Sequence, residues 1–91
     1  MFLHIGSNNI IKTKDIISIY NIESIKNTNE YRIIIEKISK NCNLTNELDC
    51  EPKSLIITKE NNEVKGYMSN ISSITLAKRA QLNIKRNLER F

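Results

Sequence analysis

The fold of this chain is decided by the stretch Phe2-Leu3-His4-Ile5-Gly6-Ser7-Asn8-Asn9-Ile10-Ile11-Lys12-Thr13-Lys14-Asp15-Ile16-Ile17-Ser18-Ile19-Tyr20. Three short runs rich in Ile, Phe and Tyr favour strands, and two groups of turn residues separate them. Gly and Asn make the first break because they tolerate positive φ, and Lys14-Asp15 makes the second. The sequence therefore predicts three strands that begin one sheet: Phe2–Ile5, Asn9–Thr13 and Ile16–Tyr20.

The third strand has apolar residues on both faces. Alternation places Ile17 and Ile19 on one face and Ile16, Ser18 and Tyr20 on the other. We therefore expect both faces to be covered, one by a helix of the same domain and one by a neighbouring subunit.

An amphipathic helix is predicted in the middle of the chain, with Asn29 at its N-cap and its end near Lys40. Its apolar residues recur at i, i+3, i+4 and i+7, and they are Tyr31, Ile34, Ile35 and Ile38. The segment from Cys42 to Pro52 is a connector, with room for a short strand around Leu44.

The second half of the chain predicts a β-hairpin and then a helix. The strands are Lys53–Thr58 and Glu63–Ser69, joined by a turn at Glu60-Asn61-Asn62. Ser72-Ser73 is an N-cap signal for a helix whose apolar residues recur every four positions: Leu76, Ala80, Ile84 and Leu88. The part to Ala80 should be ordered, and the rest is a helix, a docking arm or a frayed tail.

These elements predict a single small α+β domain with a short-stranded, mostly antiparallel sheet, one central amphipathic helix and a C-terminal helix. The length of 91 residues suits one domain with a modest core.

The formal net charge of +4 is concentrated at the end of the chain. Up to Thr75 the basic and acidic residues are equal in number, whereas Leu76–Phe91 contains five basic residues and Glu89 alone. Such an asymmetry indicates a polyanionic partner or a solvated tail.

The residue pattern contains no constellation for catalysis or metal binding. Cys42 and Cys50 have seven residues between them, and the one histidine, His4, is far from both. Gly6 and Gly66 are isolated, so no glycine-rich phosphate loop is present. We therefore expect a protein that is not an enzyme and that uses no cofactor, metal or small-molecule ligand. No apolar run is long enough for membrane insertion or a signal peptide, so we expect a cytoplasmic protein.

Basic residues carry the positive functional signal. The candidate DNA-binding residues are Lys12, Lys14, Lys53, Lys78 and Arg79. Phosphate binding needs flexible cations gathered on one surface. On the pattern alone, a solvated face explains these residues as well as nucleic-acid binding does.

Several segments, in this order, resemble the small RemA/RemB-like extracellular matrix regulators of Firmicutes, and the likeness is closer to the RemB branch. The segments are Met1–Gly6, Ile16–Ile19, Pro52–Thr58 and Ser69–Arg79. The resemblance covers about residues 1–80 and leaves 81–91 as a basic C-terminal extension.

The resemblance implies a cytoplasmic, DNA-binding transcriptional regulator of biofilm matrix genes. It also implies a LytTR-like protomer that forms homo-oligomeric rings and binds double-stranded DNA along a basic outer surface. Weak contacts from each subunit would then be summed by multivalency.

The chain departs from the RemA-like pattern at two basic positions. Such members place arginines in the turn before the third strand and just ahead of the strand at Lys53, where this chain has Asp15 and Glu51 nearby. Because carboxylates repel phosphate, DNA binding is expected to be weaker or to move to Lys78 and Arg79. The alternative is an oligomeric structural or protein-interaction module that does not bind DNA and docks through its basic tail.

Overall fold

The structure is a computed structural model and describes residues 1–6 and 8–80. In chain order the strands are β1 (Phe2–His4), β2 (Ile10–Lys12), β3 (Ile16–Asn21), β4 (Leu44–Thr45), β5 (Ser54–Glu60) and β6 (Glu63–Ser69). The α-helices are α1 (Ile22–Ile25), α2 (Asn29–Lys40) and α3 (Ser73–Arg79), and a 3₁₀ turn spans Thr13–Asp15. The predicted α+β class with mostly antiparallel pairing is confirmed.

A four-stranded sheet of order β3-β5-β6-β4 forms the middle of the domain. Its centre is the β5–β6 hairpin, in which Glu60 pairs with Glu63. Asn61 and Asn62 both have positive φ, at 53° and 69°, which is the conformation that a two-residue hairpin turn of type I′ requires. The predicted turn and strands are confirmed, and β4, the short strand expected around Leu44, pairs with β6 in parallel.

Each face of this sheet is covered by the chain's own elements. The helical layer, α1 and α2, packs on one face around the buried residues Ile22, Ile38, Leu55, Ile57 and Met68. The opposite layer consists of β1, β2 and α3, and its buried residues are Leu3, Ile5, Ile11, Ile56, Leu76 and Ala80. The chain therefore packs its own elements on both faces of β3, and the expected contact with a neighbouring subunit stays a prediction.

The first three strands do not belong to one sheet as the sequence suggested. Among the described strands, β1 and β2 pair only with each other and form a separate two-stranded ribbon, whereas β3 lies at the edge of the larger sheet. The 3₁₀ turn Thr13–Asp15 lies between the ribbon and β3. Its first residue, buried Thr13, stays beside β1, because it donates from both its backbone N–H (3.0 Å) and its hydroxyl (3.1 Å) to the Met1 carbonyl.

A β-bulge in β3 changes which residues share a face. Ile16 pairs with Thr58 and Ser18 pairs with Ile57, so Ile17 has no partner in β5, and its side chain is 57% exposed. Because the extra residue reverses the alternation, Ile16 packs in the same cluster as Ile19 rather than with Tyr20.

The apolar stripe of α2 was predicted correctly, but its ends differ in detail. The N-cap is Thr28 rather than Asn29, since the Thr28 hydroxyl accepts from the Tyr31 N–H at 3.2 Å. The preceding one-turn helix, α1, was not predicted; Asn21 caps it by accepting from the Glu23 N–H. The predicted cap of α3 is confirmed, because the Ser72 hydroxyl accepts from the Thr75 N–H. Ile84 and Leu88 lie outside the described residues.

Candidate nucleic-acid interface

Lys12 and Lys14 lie together at one end of the molecule. Both are exposed, Lys12 at the end of β2 and Lys14 in the 3₁₀ turn that follows. They line a surface depression of about 440 Å³, together with Phe2, Ile10, Ile11, Asp15, Glu60 and Asn61. The predicted pair of cations is thus brought to one place, with two carboxylates beside it.

One of those carboxylates, Glu60, is fixed by the hairpin that carries it. Its Oε2 accepts hydrogen bonds from the Thr58 hydroxyl (2.6 Å) and the Tyr67 hydroxyl (2.7 Å). The Lys65 ammonium lies 3.9 Å from its Oε1. These contacts lie on the face that the ribbon and α3 cover, because β5 and β6 residues of one parity share that face.

The surroundings of Glu60 shift its pKa in opposing directions. Desolvation by itself raises the pKa of the Glu60 carboxyl. The hydrogen bonds from Thr58 and Tyr67, with smaller contributions from the Lys65 and Lys12 charges, outweigh it, so the pKa lies below its ordinary value. Glu60 is therefore a carboxylate at neutral pH.

Tyr67, which donates its hydroxyl hydrogen bond to Glu60, also has a shifted pKa. Desolvation by burial, followed by its hydrogen bond to Glu60 and the nearby negative charges, raises the pKa of the Tyr67 phenol to about 12. The phenol therefore remains a hydrogen-bond donor to Glu60 throughout the neutral and mildly alkaline range.

Lys53 lies at the opposite end of the sheet. It precedes β5, whereas Glu60 ends that strand, so roughly 20 Å of extended backbone separates the two. Exposed Lys53 lines a second depression, of about 330 Å³, with Asn21, Glu23, Glu51, Pro52, Ser72, Ser73 and Ile74. The structure therefore does not bring Lys53 together with Lys12 and Lys14, and it surrounds Lys53 with two acids.

Lys78 and Arg79 form the last turn of α3, and both are exposed. The Arg79 Nη1 donates to the His4 carbonyl at 3.3 Å, which connects the helix to the ribbon. These two cations therefore lie on the same layer of the molecule as Lys12.

The charges of the two layers differ. The segments of β1, β2 and α3 contain basic residues but no acid. The helical layer mixes both signs, with Glu23, Glu30 and Glu36 among its residues. Within residues 1–6 and 8–80 the ion pairs are Lys26–Glu23 and Lys65–Glu60, so no described acid forms a direct ion pair with any of the five candidate cations.

Sequence reasoning missed the contacts of Glu60, although a signal was present. The turn at Asn61-Asn62 fixes the pairing of Glu60 with Glu63, and counting back along both strands places Thr58, Glu60 and Tyr67 on one face. In the described part of the chain, no cluster of three or more His, Cys, Asp or Glu could hold a metal ion. The described helices include none that is long and apolar enough to cross a membrane.

The fold and this charge distribution define a small α+β protein with a basic layer on one side of its sheet. The family described as RemA-like, extracellular matrix regulatory protein A-like, matches residues 2–80. The chain is also 32% identical over 82 residues to extracellular matrix regulatory protein B of Bacillus subtilis (strain 168), covering 89% of this chain and 91% of that relative. The chain belongs to the RemA-like family of extracellular matrix regulatory proteins.

Proposed function

We propose that this protein is a cytoplasmic transcriptional regulator of extracellular matrix genes that binds double-stranded DNA as a homo-oligomer. Membership in a family of matrix regulators supports the regulatory role. The observation that carries DNA binding is the basic layer: β1, β2 and α3 include Lys12, Lys78 and Arg79 and no acid. Duplex DNA is a dense polyanion, and cations gathered on one surface can neutralise several phosphates together.

Lysine side chains suit this role as flexible point charges. Lys12, Lys14 and Lys78 would contact phosphate oxygens, which fixes the position of the protein on the duplex without reading its sequence. Arg79 is partly committed to the His4 carbonyl and keeps its remaining N–H donors for a phosphate. Lys53 would contribute less, because it lies apart from the others and beside Glu23 and Glu51.

A small number of contacts per subunit makes oligomerisation important for affinity. Linking several weakly binding subunits raises the effective concentration of each for the same duplex. Light scattering of the pure protein should give a defined mass that is a multiple of the 10.6 kDa chain. A monomer at all concentrations would contradict the oligomeric part of the proposal and leave DNA binding to be judged separately.

Salt dependence of duplex binding tests the DNA contacts. Affinity for a 30-base-pair duplex should fall steeply with salt, and each lost phosphate contact should lower the slope of log K against log [salt] by about one. We expect that decrease for Lys12→Gln, Lys14→Gln and Lys78→Gln.

Two variants serve as comparisons for these measurements. Lys53→Gln should change the slope less than Lys12→Gln does, and Lys40→Gln, on the helical layer, should leave it unchanged. Absence of duplex binding by the unaltered protein at low salt would overturn the proposal and favour the interaction-module alternative.

A further inference from the structure

The ribbon of β1 and β2 has one buried face and one that is open to solvent. Leu3, Ile5 and Ile11 point into the core and are at most 4% exposed. On the outer face, Phe2 is 66% and Ile10 is 60% exposed. Two large apolar side chains thus stand in solvent on a regular strand pair.

The outer face alternates apolar and polar residues across the strands. Phe2 pairs with Lys12, and His4 pairs with Ile10, and both polar partners are exposed. Each apolar side chain therefore has a polar or cationic residue directly opposite it, about 5 Å away between Cβ atoms. A contact surface between protein subunits has an apolar centre and a polar rim, whereas here the two kinds of residue are interleaved.

The ribbon is closed by its own hydrogen bonds and attached to two neighbouring elements. Thr13 bonds to the Met1 carbonyl, which continues the pairing of β1 with β2. The Ser69 hydroxyl donates to the Ile5 carbonyl at 2.7 Å, and Arg79 donates to the His4 carbonyl at 3.3 Å. A surface that is already fixed loses little conformational freedom when it binds.

The charge of the ribbon itself is positive. Residues 1–14 contain Lys12 and Lys14 and no acid, and Asp15, which follows Lys14, lines the same depression. The carboxylate of Glu60, which shares the depression, is turned to Thr58 and Tyr67 by its hydrogen bonds. The partner should therefore present negative charge and apolar surface side by side.

We propose that the outer face of the β1–β2 ribbon enters the major groove of duplex DNA and reads base edges through Phe2 and Ile10. The inference rests on the proposed function and adds sequence recognition to phosphate binding. A two-stranded ribbon has strands about 4.8 Å apart and fits a major groove about 12 Å wide. Phe2 and Ile10 contact thymine methyl groups there, while Lys12 and Lys14 hold the phosphates that border the groove.

Selection from a random 30-base-pair duplex pool with the full-length protein tests this assignment. The unaltered protein should enrich a sequence preference, and the double variant Phe2→Ser/Ile10→Ser should bind the enriched duplex about tenfold more weakly. Its affinity for the unselected pool and its salt slope should change little, because its phosphate contacts are intact. Ile33→Ser, an exposed isoleucine on the helical layer, is the matched control and should behave as the unaltered protein.

Replacing thymine with uracil in the enriched duplex removes only the methyl groups. That change should weaken binding of the unaltered protein and have little effect on Phe2→Ser/Ile10→Ser, because the variant has already lost the methyl contacts. A thymine effect of equal size in both proteins would overturn the groove assignment.

Light scattering of the variants separates DNA reading from self-association. If Phe2→Ser/Ile10→Ser lowers the mass of the assembly, a second copy covers this face and the inference is wrong. If the unaltered protein binds duplexes without enriching any preference, the inference fails while the proposed function stands. If it binds no duplex at low salt, the proposed function fails as well.

Discussion

Cys42 occupies a backbone conformation that usually belongs to glycine. It follows the C-cap of α2 with φ of 58°, and its N–H donates to the Ser39 carbonyl at 3.0 Å. The next N–H, of Asn43, donates to the Ile38 carbonyl at 2.9 Å. This pair of bonds is the Schellman motif, in which the residue after the C-cap is left-handed.

Cys42→Gly should therefore stabilise the protein by about 1 kcal/mol. A side chain in the left-handed region costs roughly 1–2 kcal/mol, and part of that gain is offset because glycine loses more conformational entropy on folding. Urea denaturation measures the change. Cys42→Ala keeps the Cβ atom and should be nearly neutral because the thiol is exposed. Equal stabilities for the glycine and alanine variants would show that the left-handed backbone is not strained.

Glu60 makes the free energy of unfolding depend on pH in the acidic range. Because its pKa is lower in the folded state than in the unfolded chain, its contribution to the free energy of unfolding is complete above the unfolded value and disappears as pH falls through the folded value. Glu60→Gln removes the charge and keeps an oxygen acceptor. We expect it to lower the free energy of unfolding by roughly 1 kcal/mol at pH 7, because hydrogen bonds to charged groups are stronger than neutral ones.

The difference between the unaltered protein and Glu60→Gln should shrink as pH falls below the ordinary range of a glutamate, as measured by urea denaturation across pH 3–7. Glu63→Gln is the matched control, because Glu63 pairs with Glu60 across the turn but is exposed. A destabilisation by Glu60→Gln that is constant across this pH range would contradict the linkage.

At the scale of elements, the sequence predicted the helices and turns that depend on residues close together in the chain. The stripe of α2 and the turn at Asn61-Asn62 depend on residues a few positions apart, so periodicity and turn chemistry identify them. The bulge at Ile17 and the separation of β1 and β2 from β3 depend on pairing with β5 and on the contact between Thr13 and Met1. Such contacts between distant residues are not visible in a local pattern, and α1 is only four residues long.

The ribbon's attachment to the larger sheet depends on Ser69. This buried hydroxyl donates to the Ile5 carbonyl, 64 residues away, and accepts from the Ile71 N–H at 3.0 Å. Ser69→Ala leaves both backbone groups without this partner, so we expect a loss of about 2–3 kcal/mol in the free energy of unfolding. Hydrogen exchange should become faster at ribbon amides in particular.

Ser39→Ala, at an exposed position of α2, is the control for this substitution and should be neutral or slightly stabilising. Unchanged exchange in β1 and β2 of Ser69→Ala would show that the hydroxyl does not anchor the ribbon.

At the scale of the whole molecule, the sequence predicted which residues are basic but not how they are grouped. Lys53 was predicted as the first residue of a strand and lies just before β5, and the direction of β5 places it far from Lys12 and Lys14. Arg79 joins the ribbon only because α3 packs on the same side of the sheet. Which cations lie close together depends on the topology of the fold. Composition and spacing could therefore supply candidate residues for the site but could not show which of them share a surface.

Truncation after Ala80 decides whether DNA binding belongs to the domain or to the basic extension. Ala80 is buried in the core, so the truncated protein keeps the cluster around Leu76. The removed residues include Lys85, Arg86 and Arg90 against Glu89, which is half of the net charge of +4. We expect the truncated protein to bind a 30-base-pair duplex at low salt with a shallower salt slope, because the cations on β2 and α3 remain.

A charge-neutral variant and a measurement of oligomeric mass complete the truncation experiment. Charge-neutral replacement of Lys85, Arg86 and Arg90 by Gln in the full-length chain should give the same slope as truncation if the extension acts only through its charge. Complete loss of duplex binding on truncation, with the oligomeric mass unchanged, would assign binding to residues 81–91. That result would overturn the assignment of DNA binding to the basic layer of β1, β2 and α3.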